Sequence, residues 1–193
     1  MSHLRRLGDK MIENCERLPF HANILHQNIA QIQGYIMNGY DVNTKDALGR
    51  TGLYYAIFSG NLDIVKILIR AGGDYKFTDV QFDGVNLLHI ASAEDHLDIV
   101  KYFVEELNFD VNAVDNKGNS TLFYAMLFEA VEIAEYLICH GAKNICPITR
   151  IDSLLTHLIT RLNSIKKKIQ TERTSSFNDI QKIKKLHDFI ISC

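Results

Sequence analysis

The chain has 193 residues, of which 47% are hydrophobic and 23% charged, with two prolines, eleven glycines and a formal net charge of −2. These values fit a folded domain with room for an appendage, and they exclude disorder of the whole chain and a long Pro- or Gly-rich linker. No apolar run reaches the roughly 18 residues of a membrane-spanning helix. The N-terminus has neither the apolar core of a signal peptide nor, with Asp9, Glu13 and Glu16, the acid-poor character of a transit peptide.

Leu4, Leu7, Met11 and Leu18 form a helical stripe and predict an N-terminal capping helix over 1–22. From there the chain repeats itself. "NLDIVKIL" at 61–68 is followed by "HLDIVKYF" at 96–103 and "AVEIAEYL" at 130–137. Three alanines, Ala56, Ala91 and Ala125, anchor one register. Each has a glycine seven residues before it (Gly49, Gly84, Gly118), a leucine three before it (Leu53, Leu88, Leu122) and an isoleucine eight after it (Ile64, Ile99, Ile133).

Every unit reads as turn, short helix, tight turn, longer helix, loop. "DALGR", "QFDGV" and "DNKGN" carry turn chemistry. The short helices are predicted over 51–59, 86–94 and 120–129, with Thr51, Asn86 and Ser120 placed to satisfy free N–H groups at their starts. The longer helices are predicted over 62–70, 97–106 and 131–139. Ile64, Ile67, Leu68 and Ala71 form one apolar stripe. Gly72 and Gly141 end two of them. The third unit has one extra residue and Asn108 as the expected left-handed stop. So small a helix pair cannot bury its apolar face alone, and stacked neighbours supply the missing core.

These marks resemble the ankyrin-repeat pattern DxxGxTPLHxAAxxGxxxIVxxLLxxGADVN. "DGVNLLHIASAEDHLDIVKYFVEELNFDVNAVD" is the best match. The proline of the TPLH tetrad is replaced by Gly52, Leu87 and Thr121. Its histidine survives only as His89, beside Tyr54 and Phe123 in the other units. "LHQNIAQIQGYIMNGYDVNTKD" fits the second half of an earlier unit, with Tyr40 to Asn43 on the GADVN segment and a degenerate first helix within "LPFHANIL". The resemblance implies an all-α ankyrin-repeat solenoid with helical N- and C-terminal caps. Its domain layout is a cap over 1–22, repeats over 23–145 (about 23–45, 46–79, 80–114 and 115–145) and a C-terminal helical cap or degenerate fifth repeat over 146–193.

That C-terminal segment carries an apolar stripe from Ile151 to Ile169 and a second one through Ile180, Ile183 and Ile190. It is also basic, with ten Lys/Arg against four Asp/Glu from Lys143 onward, while residues 1–142 carry a net −8. A solvated helix face on a cap accounts for the lysines. The rival account is contact with an anionic surface.

No catalytic motif is present: GxSxG, GxxxxGK[ST], HExxH and GxGxxG are all missing. Cys139 and Cys146, with His140 between them, have no usual zinc spacing, so no metal, cofactor or catalytic residue is expected. Free thiols point to a reducing, cytoplasmic setting. His89 is read as a structural residue bonded between turns.

Recognition is the remaining function. The resemblance implies contacts from the turn tips and from the concave palm of first helices. The partner-binding residues expected on that basis are Leu48, Arg50, Phe58, Phe82, Asp83, Val85, Glu94, Lys117, Asn119, Leu127 and Phe128. Leu48, Phe58, Phe82, Val85, Leu127 and Phe128 make an apolar set, and Asp83, Glu94, Asp95 and Glu129 surround it with acid. This predicts a protein partner that is apolar with basic surroundings. A monomeric, non-catalytic interaction module follows, with no nucleic-acid partner, and a pathogen effector or inhibitor is one setting for it. The alternatives are a targeting arm for an enzymatic or toxin activity in the C-terminal segment, or a self-associating scaffold.

Overall fold

The computed structural model describes residues 18–76, 78–79 and 84–143. The C-terminal cap expected over 146–193 and residues 1–17 of the N-terminal cap lie outside them. The order of elements is α1 (Pro19–Leu25), α2 (Ile29–Met37), α3 (Gly52–Phe58), α4 (Leu62–Arg70), β1 (Thr78–Asp79), β2 (Val85–Asn86), α5 (Leu87–Ala93), α6 (Leu97–Lys101, continued by a π-helical turn over Tyr102–Glu106), α7 (Thr121–Leu127) and α8 (Val131–Cys139). The chain divides into two compact units, Met1–Ala91 and Ser92–Cys193, with the boundary inside α5. Apart from the two-residue antiparallel pair β1–β2, the described regular structure is helical, in the all-α ankyrin-repeat class.

The predicted repeat helices are present, but the buried face of α4 differs from the expected stripe: Ile67 and Ala71 are only half-buried and Val65 is buried in their stead. The longer helices occupy the spans expected from the sequence, 62–70, 97–106 and 131–139. Ile64, Val65 and Leu68 of α4 are buried, as are Ile99, Val100 and Phe103 of α6 with its π turn, and Ile133, Ala134 and Leu137 of α8. The anchor alanines and the leucines before them are fully buried. Gly49, Gly84 and Gly118 all turn with positive φ, between 75° and 78°, where a side chain is strained.

The extra residue in the third repeat is absorbed by the π turn. Leu107 N–H donates to the Tyr102 carbonyl at 3.3 Å, one residue further back than in an α-helix, and Phe109 N–H donates to the Phe103 carbonyl at 3.0 Å. Asn108 then takes the left-handed conformation at φ 56°, as expected, and the Phe109 ring stacks on Phe103 at 4.9 Å.

In the first unit α1 packs on α2 and α3, and α3 on α4. The first repeat is more complete than its sequence suggested. Pro19 opens α1 and His21 is its third residue, so "PFH" stands where the other repeats have Gly52-Leu53-Tyr54, Leu87-Leu88-His89 and Thr121-Leu122-Phe123. His89 is therefore not the only tetrad histidine, and residues 19–22 belong to a helix pair rather than to a separate cap.

Gly52 explains why the second repeat departs from the tetrad proline. A Cβ there would lie 2.7 Å from Ile24 Cδ1 and 2.9 Å from Phe20 Cε1, so any side chain would force these two buried side chains of α1 to shift. Asn86 and Ser120 cap their helices as predicted, accepting from Leu88, His89 and Phe123 N–H. Thr51 does not, because its hydroxyl is buried without a hydrogen bond.

In the second unit α7 packs on α8, and α6 touches α8. On these outer helices Tyr136 Oη donates to Glu105 Oε1 at 2.9 Å, with the His140 ring 4.0 Å from its own. Burial, and then the Glu105 carboxylate, push the Tyr136 phenol up to about 12.

Candidate binding surfaces

Each described turn tip is built around an acid. In the first unit Asp46 Oδ1 accepts from Leu48 N–H and Arg50 N–H, both at 2.8 Å, and its Oδ2 accepts from Tyr55 Oη at 2.6 Å. In the second unit Asp115 Oδ1 accepts from Lys117 N–H and Asn119 N–H, both at 2.8 Å. Its Oδ2 accepts from Asn119 Nδ2 at 2.7 Å and Tyr124 Oη at 2.8 Å. Burial acts to raise the Asp115 pKa, but the hydrogen bonds from Asn119, Tyr124 and Lys117 outweigh it and hold the carboxyl below its ordinary value. The same clamp, an Asp and a Tyr nine residues apart, thus fixes two tips. Between them Gln81 and Ile90 occupy the equivalent places, so acid and phenol are lost together.

A second device recurs on the loops after the outer helices. Asn43 Nδ2 donates to the Gly72 carbonyl at 2.9 Å and its Oδ1 accepts from Asp74 N–H at 2.7 Å. Asn112 makes the same pair of bonds, to the Gly141 carbonyl at 3.2 Å and from Lys143 N–H at 2.7 Å. The place between them holds Lys76, whose ammonium donates but cannot accept.

These clamps decide which tip residues face outward, and they correct two expectations. Arg50, expected at an exposed tip, is only 2% exposed: its N–H closes the turn on Asp46 and its guanidinium lies over the Tyr54 ring at 4.9 Å. Asn119, in the corresponding place, is also 2% exposed and spends its amide on Asp115. The residue after the left-handed glycine turns inward because the acid needs its N–H. Lys117 is exposed, and Leu48 and Val85 are half-buried. Phe82 and Asp83 lie outside the described residues.

The ends of the inner helices keep their surface. Phe58 in the first unit, and Glu94 and Phe128 in the second, are half-buried. Leu127 is 37% exposed, one of three large hydrophobic side chains that remain outside among the described residues. Burial raises the Glu94 carboxyl above its ordinary value, against the opposing pull of His96. Asp95 and Glu129 follow Glu94 and Phe128 with left-handed backbones, φ 62° and 66°, where the first and second repeats place Gln27 and Gly60. Residue type alone does not mark Asp95 or Glu129 as backbone exceptions. Their equivalence to Gly60 in the register is the sequence signal of that conformation.

Among the described residues no group of His, Cys, Asp and Glu is arranged to hold a metal, and no helix is long and apolar enough to cross a membrane.

The family model described as ankyrin repeats in three copies matches residues 18–115 and again 72–147. The Notch-regulated ankyrin repeat-containing protein of Xenopus laevis is 29% identical over 109 residues, which is 56% of this chain and 87% of that protein. The Homo sapiens protein of the same name is 31% identical over 86 residues, 42% of this chain and 74% of its own length. A putative ankyrin repeat protein of Acanthamoeba polyphaga mimivirus is 25% identical over 118 residues, 61% of this chain and 15% of its own. With the family model covering more than half of the chain and the turn, helix and loop register repeated through the described residues, the protein belongs to the ankyrin-repeat family.

Proposed function

We propose that the chain is a non-catalytic, monomeric interaction module that grips a protein partner with the ends of its inner helices and with its turn tips. Ankyrin repeats are in general protein–protein interaction modules. The observation that carries the reading is the exposure of Leu127 beside Phe128, at an inner-helix end that no packing requirement makes apolar. Phe58 holds the equivalent position in the first unit. Leu48, Val85 and Lys117 extend the contact at the tips, and Phe82 and Asp83 complete the expected set. Glu94, Asp95 and Glu129, at the inner-helix ends of the second unit, favour a partner with apolar anchors and basic surroundings. The exposed free thiol of Cys139 supports a reducing, intracellular setting.

The test is a Phe58→Ser, Phe128→Ser protein compared with the native one in affinity capture. Both positions are partly exposed, so the variant should keep its helical circular dichroism and its unfolding midpoint to within a few degrees. The partner retained by the native protein should be lost from the variant. Equal recovery of that partner by both proteins sinks the reading.

A further inference from the structure

His21 is a buried titratable group for which partner binding has no use. It is the third residue of α1 and is fully buried. Neither ring nitrogen makes a well-formed hydrogen bond, and the backbone of Arg50 and Thr44 lies close enough only for weak ones. Its ring packs edge-on against Tyr55 of α3, with centroids 5.5 Å apart and planes at 89°. Tyr55 in turn donates to Asp46, whose carboxylate holds the turn to Arg50. A histidine in this place thus touches α3 and reaches the Asp46 clamp through one ring.

The groups that act on it can be named. Asp46 is the charged side chain whose field favours its protonation, and the backbone of Arg50 and Thr44 pulls the same way. Tyr55 is the titratable ring packed on it. The Arg50 guanidinium is directed over Tyr54. Burial outweighs all of these and holds the imidazole below its ordinary value, because a cation in this pocket loses its water.

We propose that His21 is an acid-sensitive latch on the first helix pair: when its ring takes up a proton, α1 loosens from α3 and the turn from Asp46 to Arg50 loosens with it. The rest of the protein supplies an internal comparison. Tyr54, His89 and Phe123 occupy the same place in α3, α5 and α7: Tyr54 and Phe123 fill it with a ring that has no titrating nitrogen, and His89 holds its Nδ1 2.7 Å from Asn86 Oδ1. A ring of that size is what packing requires, and the imidazole adds sensitivity to protons.

The sign follows from linkage. The opened segment takes up a proton near the ordinary value of about 6.5, and the closed one only at lower pH. Closure is therefore fully favoured above about pH 6.5 and weakens as the pH falls toward the value of the closed state. At pH 5.5, one unit below the ordinary value, the weakening is bounded at about tenfold.

Hydrogen exchange on the full chain tests this. Amides of α1 and α3, corrected for intrinsic rates, should lose protection severalfold, up to that limit, between pH 7.5 and 5.5. The amides of α8 should change little. In His21→Phe the difference between the two pH values should disappear from α1 and α3. Equal losses in native and His21→Phe proteins would overturn the latch. An NMR titration of the His21 ring in the native protein is a second test, independent of whether the variant folds. A midpoint below the ordinary value supports the latch, and one at or above it rejects it.

Discussion

Replacing Asp46 by alanine should lower the stability of the first unit by about 3 kcal/mol or more, read from urea denaturation followed by circular dichroism. One carboxylate there receives two backbone N–H groups and a phenol at 2.6 to 2.8 Å. Hydrogen bonds to a charged group contribute roughly 1.5 to 3 kcal/mol each, and the loss falls on donors left buried rather than returned to water. Arg50 and Tyr55 are both buried, so water cannot easily replace the acid. Tyr55→Phe removes only the phenol and should cost about 1 kcal/mol or a little more. The two changes share one hydrogen bond, so the double variant should be less destabilised than the sum of the singles. A loss below about 1 kcal/mol for Asp46→Ala would mean that the turn holds without its acid.

Leu88→Ala should destabilise by about 2 to 5 kcal/mol, the range for deleting a fully buried leucine side chain. Leu88 is the second residue of α5, three before the anchor alanine Ala91, and its counterparts Leu53 and Leu122 are equally enclosed. The cost combines the lost transfer of the side chain from water with the cavity that incomplete relaxation leaves behind. A loss under about 0.5 kcal/mol, the range of surface changes, would mean that the repeat register has been assigned to the wrong face.

The backbone of this fold is plain in the sequence, because stacking repeats the same packing demand every 33 to 36 residues. The apolar stripes of the longer helices, the turn glycines and the left-handed Asn108 can all be placed from spacing alone. The buried polar positions are less legible. Arg50 and Asn119 are long or polar residues beside a tip glycine, and type alone sends them to the surface. What turns them inward is the carboxylate four residues earlier, a contact between backbone and side chain that hydropathy does not register. The pairing of Asp46 with Tyr55 and Asp115 with Tyr124, lost together at Gln81 and Ile90, is a readable signal of that contact. His21 is hidden for another reason. Only Pro19 and the helix start reveal the tetrad in the first repeat, where no alanine anchors the register. Leu127 stands out because it remains exposed at an inner-helix end, with the half-buried Phe128 beside it and the half-buried Phe58 in the equivalent place of the first unit, so its apolar character needs an explanation other than the core.

The claim that recognition lies at the inner-helix ends is tested most directly by site-directed photo-crosslinking. A photoreactive phenylalanine analogue at Leu127 or Phe128 would be compared with the same group at Asp63 or Glu132, exposed positions near the starts of the outer helices α4 and α8. The partner should crosslink from 127 and 128 and not from 63 or 132. Crosslinks from the outer positions, with none from 127 or 128, would contradict the account.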